Sequence, residues 1–204
     1  MFRHFILLLA SVLSQIHLMA QPPADFSAAY ARKREKKAWK TDVAAVLAQI
    51  KVPGFASRNY TISDFGARPG EDARPAIRQA VEACHRNGGG RVVVSAGTYP
   101  VNGPIHLLSN VNLHLDSGAV LKFSVNPADY LPVVKVRWEG TVCYNYSPLI
   151  YAYRAENVAI TGKGLIDGQA GLFWHEWKKT QEPDKKILRQ MGNDLVPEEK
   201  RVFG

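Results

Sequence analysis

The chain has 204 residues, 46% of them hydrophobic, and a formal net charge of +8. That apolar content suffices for a folded core and excludes wholesale disorder. Two cysteines, Cys84 and Cys143, exclude a disulfide framework, and neither a Cys-x-x-Cys pair nor a metal-ligand spacing occurs.

Residues 1–20 have the form of a signal peptide. Arg3 and His4 give a weakly positive start, and Phe5 to Leu13 form an apolar run too short to span a bilayer. Ala20 offers a small residue for cleavage. A membrane anchor or a buried first helix is the alternative. Export implies a periplasmic or extracellular protein, and no later stretch reads as a membrane span. Residues 21–57 read as a helical segment. Its core runs from Phe26 to about Ile50, with Trp39, Val43, Val46, Leu47 and Ile50 at helical spacing. Arg32, Lys33, Arg34, Lys36, Lys37 and Lys40 crowd residues 32–40, where Glu35 is the one opposing charge. A solvated helix face accounts for them, and affinity for an acidic polymer is the other option. No nucleic-acid-binding motif accompanies them.

Residues 58–204 have a different texture. Tyr60 to Ala67 alternates as a strand. Pro75 opens a helix to about His85, with Ile77, Ala80, Val81 and Cys84 on one face. Gly88-Gly89-Gly90 follows a helix and precedes a strand. That is the reverse of a phosphate cradle, so the glycines make a tight turn. Short strands are predicted at Arg91–Val94, Thr98–Val101, Ile105–Leu107, Val111–Leu115 and Val120–Phe123. In the fourth, Val111, Leu113 and Leu115 face inward and Asn112 and His114 outward. His106 also reads as an outward surface residue. Asn126 to Pro132 reads as a loop, and Val133 to Tyr146 has no clear element. Tight Asn-Gly or Asp-Gly hairpin connections are not the rule.

Ser147 to Gly168 is the most informative stretch. Leu149-Ile150-Tyr151, Val158-Ala159-Ile160 and Leu165-Ile166 are short apolar runs separated by polar or glycine breaks. Three strands in so short a span suit one coil of a parallel β-helix. Asn157-Val158 repeats Asn110-Val111 at the start of the earlier coil. Pattern alone does not separate this from other all-β folds. Tyr151 and Tyr153 are expected to stack between coils or shield an edge. After Gly168 the chain reads as a loop with helical pieces, and Val202-Phe203-Gly204 offers no closing element.

The order of motifs adds a resemblance. IxDFGARPG at Ile62–Gly70, AIRQAVEAC and GGGRVVV at Ala76–Val94, and AGTYPVNGPIHLLSNVNLHLDSGAVLKFS at Ala96–Ser124 resemble the polygalacturonase family of glycoside hydrolases (family 28). YLPVVKVRWEG at Tyr130–Gly140 and SPLIYAYRAENVAITGKGLIDGQ at Ser147–Gln169 extend the resemblance, as does the tail LRQM…KRVFG. It implies an all-β fold, a right-handed parallel β-helix solenoid with N-terminal helical segments, seen here as its N-terminal part and truncated at the C-terminus. The helix at Pro75–His85 would cap it. It further implies inverting hydrolysis of α-linked galacturonic acid in pectin, a polysaccharide substrate, no cofactor, and a monomer when full length. Inversion needs two carboxyl groups across the scissile bond.

The family's catalytic series is Asn-x-Asp, Asp-Asp, Gly-His-Gly and Arg-x-Lys. The chain has no Asp-Asp and no Gly-His-Gly; Arg34-Glu35-Lys36 stands on the wrong side of the coils, and Asn193-Asp194 lacks the intervening residue. No catalytic residue and no metal ligand is therefore assigned, and the chain is expected to be inactive alone. Arg137, Trp138 and Glu139 remain as candidate substrate contacts. A guanidinium suits a uronate carboxylate, and an indole stacks on sugar. An Arg–Glu pair beside a packed Trp is the structural alternative. A noncatalytic polysaccharide-binding β-helix and a calcium-dependent β-helix lyase are the other functional classes. Scattered acidic residues count against the lyase.

Overall fold

The computed structural model describes residues 35–36, 42–171 and 174–204. The chain divides into two compact units, 1–52 and 53–204. In the first, residues 42–49 are helical, and Val46, Leu47 and Ile50 of the expected apolar stripe are exposed. The signal segment and Trp39 lie outside the described residues.

The second unit winds. β1 (Asn59–Thr61) leads through a 3-10 turn at Ile62–Phe65 to helix α1 (Arg74–Arg86). The first full coil is β2 (Gly90–Val94), β3 (Gly97–Val101) and β4 (Ile105–His106). The next begins with β5 (Val111–Leu115) and β6 (Ala119–Phe123) and, after an excursion, ends with β9 (Ile150–Tyr151). β10 (Ala159–Gly162) and β11 (Leu165–Asp167) start another. Equivalent strands stack in three parallel sheets, β1-β2-β5-β10, β3-β6-β11 and β4-β9. Strand neighbours in sequence thus lie in different sheets, and each pairs with the strand one coil away. This is the parallel solenoid that the strand spacing suits and the resemblance implies. Its stack begins at Asn59, one layer before Arg91.

Period two sets the faces. Val92, Leu113 and Ile160 share one column, as do Tyr99, Leu121 and Ile166. Val92, Leu113 and Leu121 are fully buried, whereas Ile160 in the last layer is 47% exposed. Each buried aliphatic contributes about 1.5–3 kcal/mol of transfer free energy. Ile77, Val81 and Cys84 on one stripe of α1 close the same core, with α1 packed on β1, β2 and β5. Both cysteines are buried free thiols, and burial pushes their pKa values up.

Several elements differ from expectation. Tyr60–Ala67 is not one strand. After Thr61 the chain closes on itself, with Ala67 N–H donating to Ile62 O at 3.1 Å and Gly66 left-handed at φ 91°. Local turn bonds bury Ile62 where extended backbone would carry it past the core. Gly90 confirms the tight turn, because a Cβ there would sit 2.5 Å from Arg58 O. Asn112 is not an exposed outward residue. It is 6% exposed and accepts from Thr161 Oγ1 at 2.8 Å, because the next coil covers it.

The unassigned stretch Val133 to Tyr146 is a hairpin, β7 (Val134–Trp138) and β8 (Thr141–Asn145), paired from Val134↔Asn145 to Trp138↔Thr141. Its two-residue connection is Glu139-Gly140, with φ 44° and 92°. Both positive angles match the twist of an antiparallel pair, a role usually filled by Asn-Gly. Helices α2 (Trp177–Thr180) and α3 (Glu182–Asn193) follow the coils, and α3 packs on β8. The C-terminal residues do pair. Tyr144 N–H donates to Arg201 O and Phe203 N–H to Tyr144 O, both at 2.8 Å, beside the hairpin.

Candidate functional site

The hairpin and the coil end at β9 enclose a groove of about 390 Å³. Alternation along β7 puts Lys135 and Arg137 on one face, with Val142 opposite Arg137 on β8. The other wall is Pro148, Tyr151, Ala152 and Tyr153. Tyr151 and Tyr153 are stacked, with centroids 6.2 Å apart and planes 5° apart. Tyr151 is fixed, since its hydroxyl donates to Lys135 O at 2.8 Å. Tyr153 is 45% exposed, and the Arg154 guanidinium lies over its ring at 5.4 Å. The expectation is a stack between coils or a shielded edge; the two tyrosines stack instead on each other at one coil end.

Two cations sit beside this aromatic wall. The Lys135 ammonium is bonded to Glu198, and that hydrogen bond pushes its pKa up and holds the Glu198 carboxyl down. Arg137 Nε donates to Gly140 O at 3.1 Å, which orients the guanidinium along the strand. Arg137 is exposed. An aromatic wall with guanidinium and ammonium groups is suited to a sugar that carries a carboxylate.

The three sequence candidates do not converge. Arg137 lines the groove. Trp138 is 39% exposed at the end of β7 and alternates to the opposite face. Glu139 sits in the hairpin turn and pairs with Lys185 at 3.4 Å and Arg189 at 3.2 Å. The expected Arg–Glu pair with a packed Trp is thus replaced by a bond from the turn to α3. The sequence analysis missed Lys135. Its signal was the i, i+2 spacing from Arg137 within an alternating strand.

The two histidines fare differently. His106 is exposed as expected, with its ring 5.1 Å from that of Tyr151 and tilted by 56°. His114 is half-buried on the outer face of the β1-β2-β5-β10 sheet. Its Nδ1 lies 2.7 Å from Thr161 Oγ1, and its Nε2 lies 3.5 Å from Asp116 Oδ1. These groups have the composition of a hydrolytic triad. Thr161, however, gives its single hydroxyl proton to Asn112, so it accepts from His114. His114 then has no lone pair toward Thr161 with which to act as its base. The array is a ladder that satisfies the outer face. Among the described residues no three His, Cys, Asp or Glu side chains converge to hold a metal, and no helix is long and apolar enough to cross a membrane.

No protein-family profile and no curated protein matches the chain. A solved structure does. An exopolygalacturonase from Thermotoga maritima is 40% identical over 81% of this chain and superposes with a TM-score of 0.76. The chain is related in sequence and fold to this polygalacturonase. It spans 40% of the length of the Thermotoga protein. A family 28 exopolygalacturonase from Yersinia enterocolitica is 33% identical over 55% of this chain and 21% of its own, with a TM-score of 0.49. The polygalacturonase relationship agrees with the parallel stacking of the three coil sheets and implies a polysaccharide substrate for the family.

Proposed function

We propose that this chain is the N-terminal portion of an exported polygalacturonase-like hydrolase that cleaves α-linked galacturonic acid in pectin with inversion. The single observation that supports this most is the 40% identity to an exopolygalacturonase over 81% of the chain. The groove beside the hairpin adds chemical support. Every residue of the polymer carries a carboxylate, and Arg137 is exposed beside two tyrosines. In this reading Arg137 holds a uronate carboxylate, while Trp138 stands on the opposite face of the strand and Glu139 is held to α3, so neither contacts the sugar in this groove. Catalysis belongs to residues outside this chain. Inversion requires paired carboxyl groups, and the Asp-Asp and Gly-His-Gly motifs that accompany them are absent from the sequence.

The test separates binding from cleavage. The purified chain should be retarded in a gel cast with polygalacturonate and not in one cast with neutral galactan. It should release no reducing sugar from polygalacturonate. Equal migration in both gels would overturn the substrate assignment. Galacturonate released by a repurified monomer would show that the catalytic groups are in this chain.

A further inference from the structure

A second cavity, of about 370 Å³, lies between α1 and the segment around β4. Its polar lining is Arg74, Arg78, Glu82 and His106, and its apolar lining includes Ile77 and Pro104. Arg74 is placed by several bonds. Asp72 Oδ1 accepts from the backbone N–H of both Arg74 and Asn102, each at 3.0 Å. Arg74 Nη1 donates to Asn102 O at 3.2 Å. The guanidinium also occupies space that any side chain at residue 103 would fill, because a Cβ on Gly103 would lie 2.8 Å from Arg74 Cζ. Arg78, one turn along α1, is exposed and has no ion-pair partner among the described residues. Glu82 is turned toward Arg86 at 3.9 Å. Partial burial of the ring, then the charge of Arg74, hold the His106 imidazole below its ordinary pKa. At neutral pH it is an uncharged donor and acceptor.

This cavity adjoins the groove described above. His106 and Tyr151 are register partners across β4 and β9, and their rings touch. Tyr151 lines the groove, and His106 lines the cavity. A basic pair therefore stands on each side of the His106–Tyr151 contact, Arg74 with Arg78 and Lys135 with Arg137. We propose that the cavity between α1 and β4 seats one uronate residue of the polymer, its carboxylate on Arg74 and Arg78 and its hydroxyls on Glu82 and His106, while the hairpin groove holds another residue of the same strand. This inference rests on the pectin assignment above. An acidic sugar fits better than a neutral one, because two guanidinium groups at one end need an anion and Glu82 at the other accepts hydroxyl protons.

The experiment is calorimetric titration of the full chain with trigalacturonate at about 0.15 M salt, where distant surface charges are screened. Arg78→Gln should weaken binding about tenfold, the loss expected for one charge-assisted hydrogen bond. Arg78→Lys should fall between. Lys163→Gln removes the same charge from an exposed turn elsewhere and should bind like the unmodified chain. Circular dichroism melts confirm that each variant is folded, as expected for exposed positions. If Arg78→Gln binds as the unmodified chain does while Arg137→Gln is weakened, the inference falls and the pectin assignment stands. If Lys163→Gln weakens binding as much as Arg78→Gln, the attraction is net charge and the inference falls. If the unmodified chain binds neither trigalacturonate nor polygalacturonate, the pectin assignment falls and takes the inference with it.

Discussion

Asn157 clasps the backbone N–H and C=O of one residue, Gly54, across 103 residues of sequence. Its Oδ1 accepts from Gly54 N–H at 3.0 Å, and its Nδ2 donates to Gly54 O at 2.7 Å. The same Nδ2 reaches Asn110 Oδ1 at 3.0 Å, one coil back. Asn110 and Asn157 are both left-handed, with φ 66° and 54°. Asparagine is among the few side chains that tolerate this region. The repeated Asn-Val pair in the sequence is thus a ladder at a coil corner, and it ties down the segment that leads into β1.

Replacing Asn157 separates these roles. Asn157→Ala should cost about 2 kcal/mol, from lost hydrogen bonds and left-handed strain. Asn157→Gly keeps the backbone at ease and should cost about half as much. Urea melts of both variants measure the difference. Equal losses would mean that backbone strain plays no part.

Gly162 ends β10 with φ 103°, and a Cβ there would lie 1.9 Å from Leu115 O. That oxygen belongs to the backbone of the neighbouring coil and accepts from Lys163 N–H at 2.9 Å. It cannot yield without opening the turn. Gly162→Ala should therefore cost more than about 2 kcal/mol. Gly140 has a similar φ of 92° but open space around it. Gly140→Ala should cost about 1 kcal/mol, from conformation alone. Thermal melts in which the two variants behave alike would remove the clash as a cause.

Val111 is fully buried, so Val111→Asp should destabilise by about 4 kcal/mol, from an unpaired carboxylate in the stack. A nearly neutral His114→Asp would follow if His114 were a free surface residue. The structure raises that expectation to about 1 kcal/mol, because the change breaks the bond to Thr161 and sets a carboxylate near Asp116. Denaturant melts giving equal losses would mean that the strand faces are reversed.

Tyr130 gives a pH signature. Its hydroxyl donates to Ser124 O at 2.6 Å, and burial, then the charge of Asp129, pushes its pKa up to about 12. An unfolded phenol ionises near about 10. Between these values the unfolded chain has lost the proton and the folded chain has kept it. Stability is therefore intact below about pH 10 and falls as the pH rises toward 12. Tyr130→Phe should remove this part of the slope and cost about 1 kcal/mol at neutral pH through the lost bond. Melting curves from pH 8 to about 12 check both effects. An unchanged alkaline slope in the variant would assign the loss to other groups.

What the sequence determined by itself was local. Alternation placed Val111, Leu113 and Leu115 inward, helical spacing placed Ile77, Val81 and Cys84 on one stripe, and the glycine run marked a turn. Each depends on residues a few positions apart, where side-chain direction follows from backbone period. Only the tertiary structure decided which strands meet. Asn112 pairs with Ala159 and Tyr144 with Val202, because backbone donors and acceptors along a strand edge are nearly the same for every sequence. A strand thus declares its faces and leaves its partner open. The groove has the same origin. Arg137 and Glu139 are two residues apart, but the Glu139-Gly140 turn sends the carboxylate to α3 while alternation keeps the guanidinium beside Tyr151. Their separation comes from a hairpin twist and from a helix some fifty residues on, and neither is written in the three residues themselves.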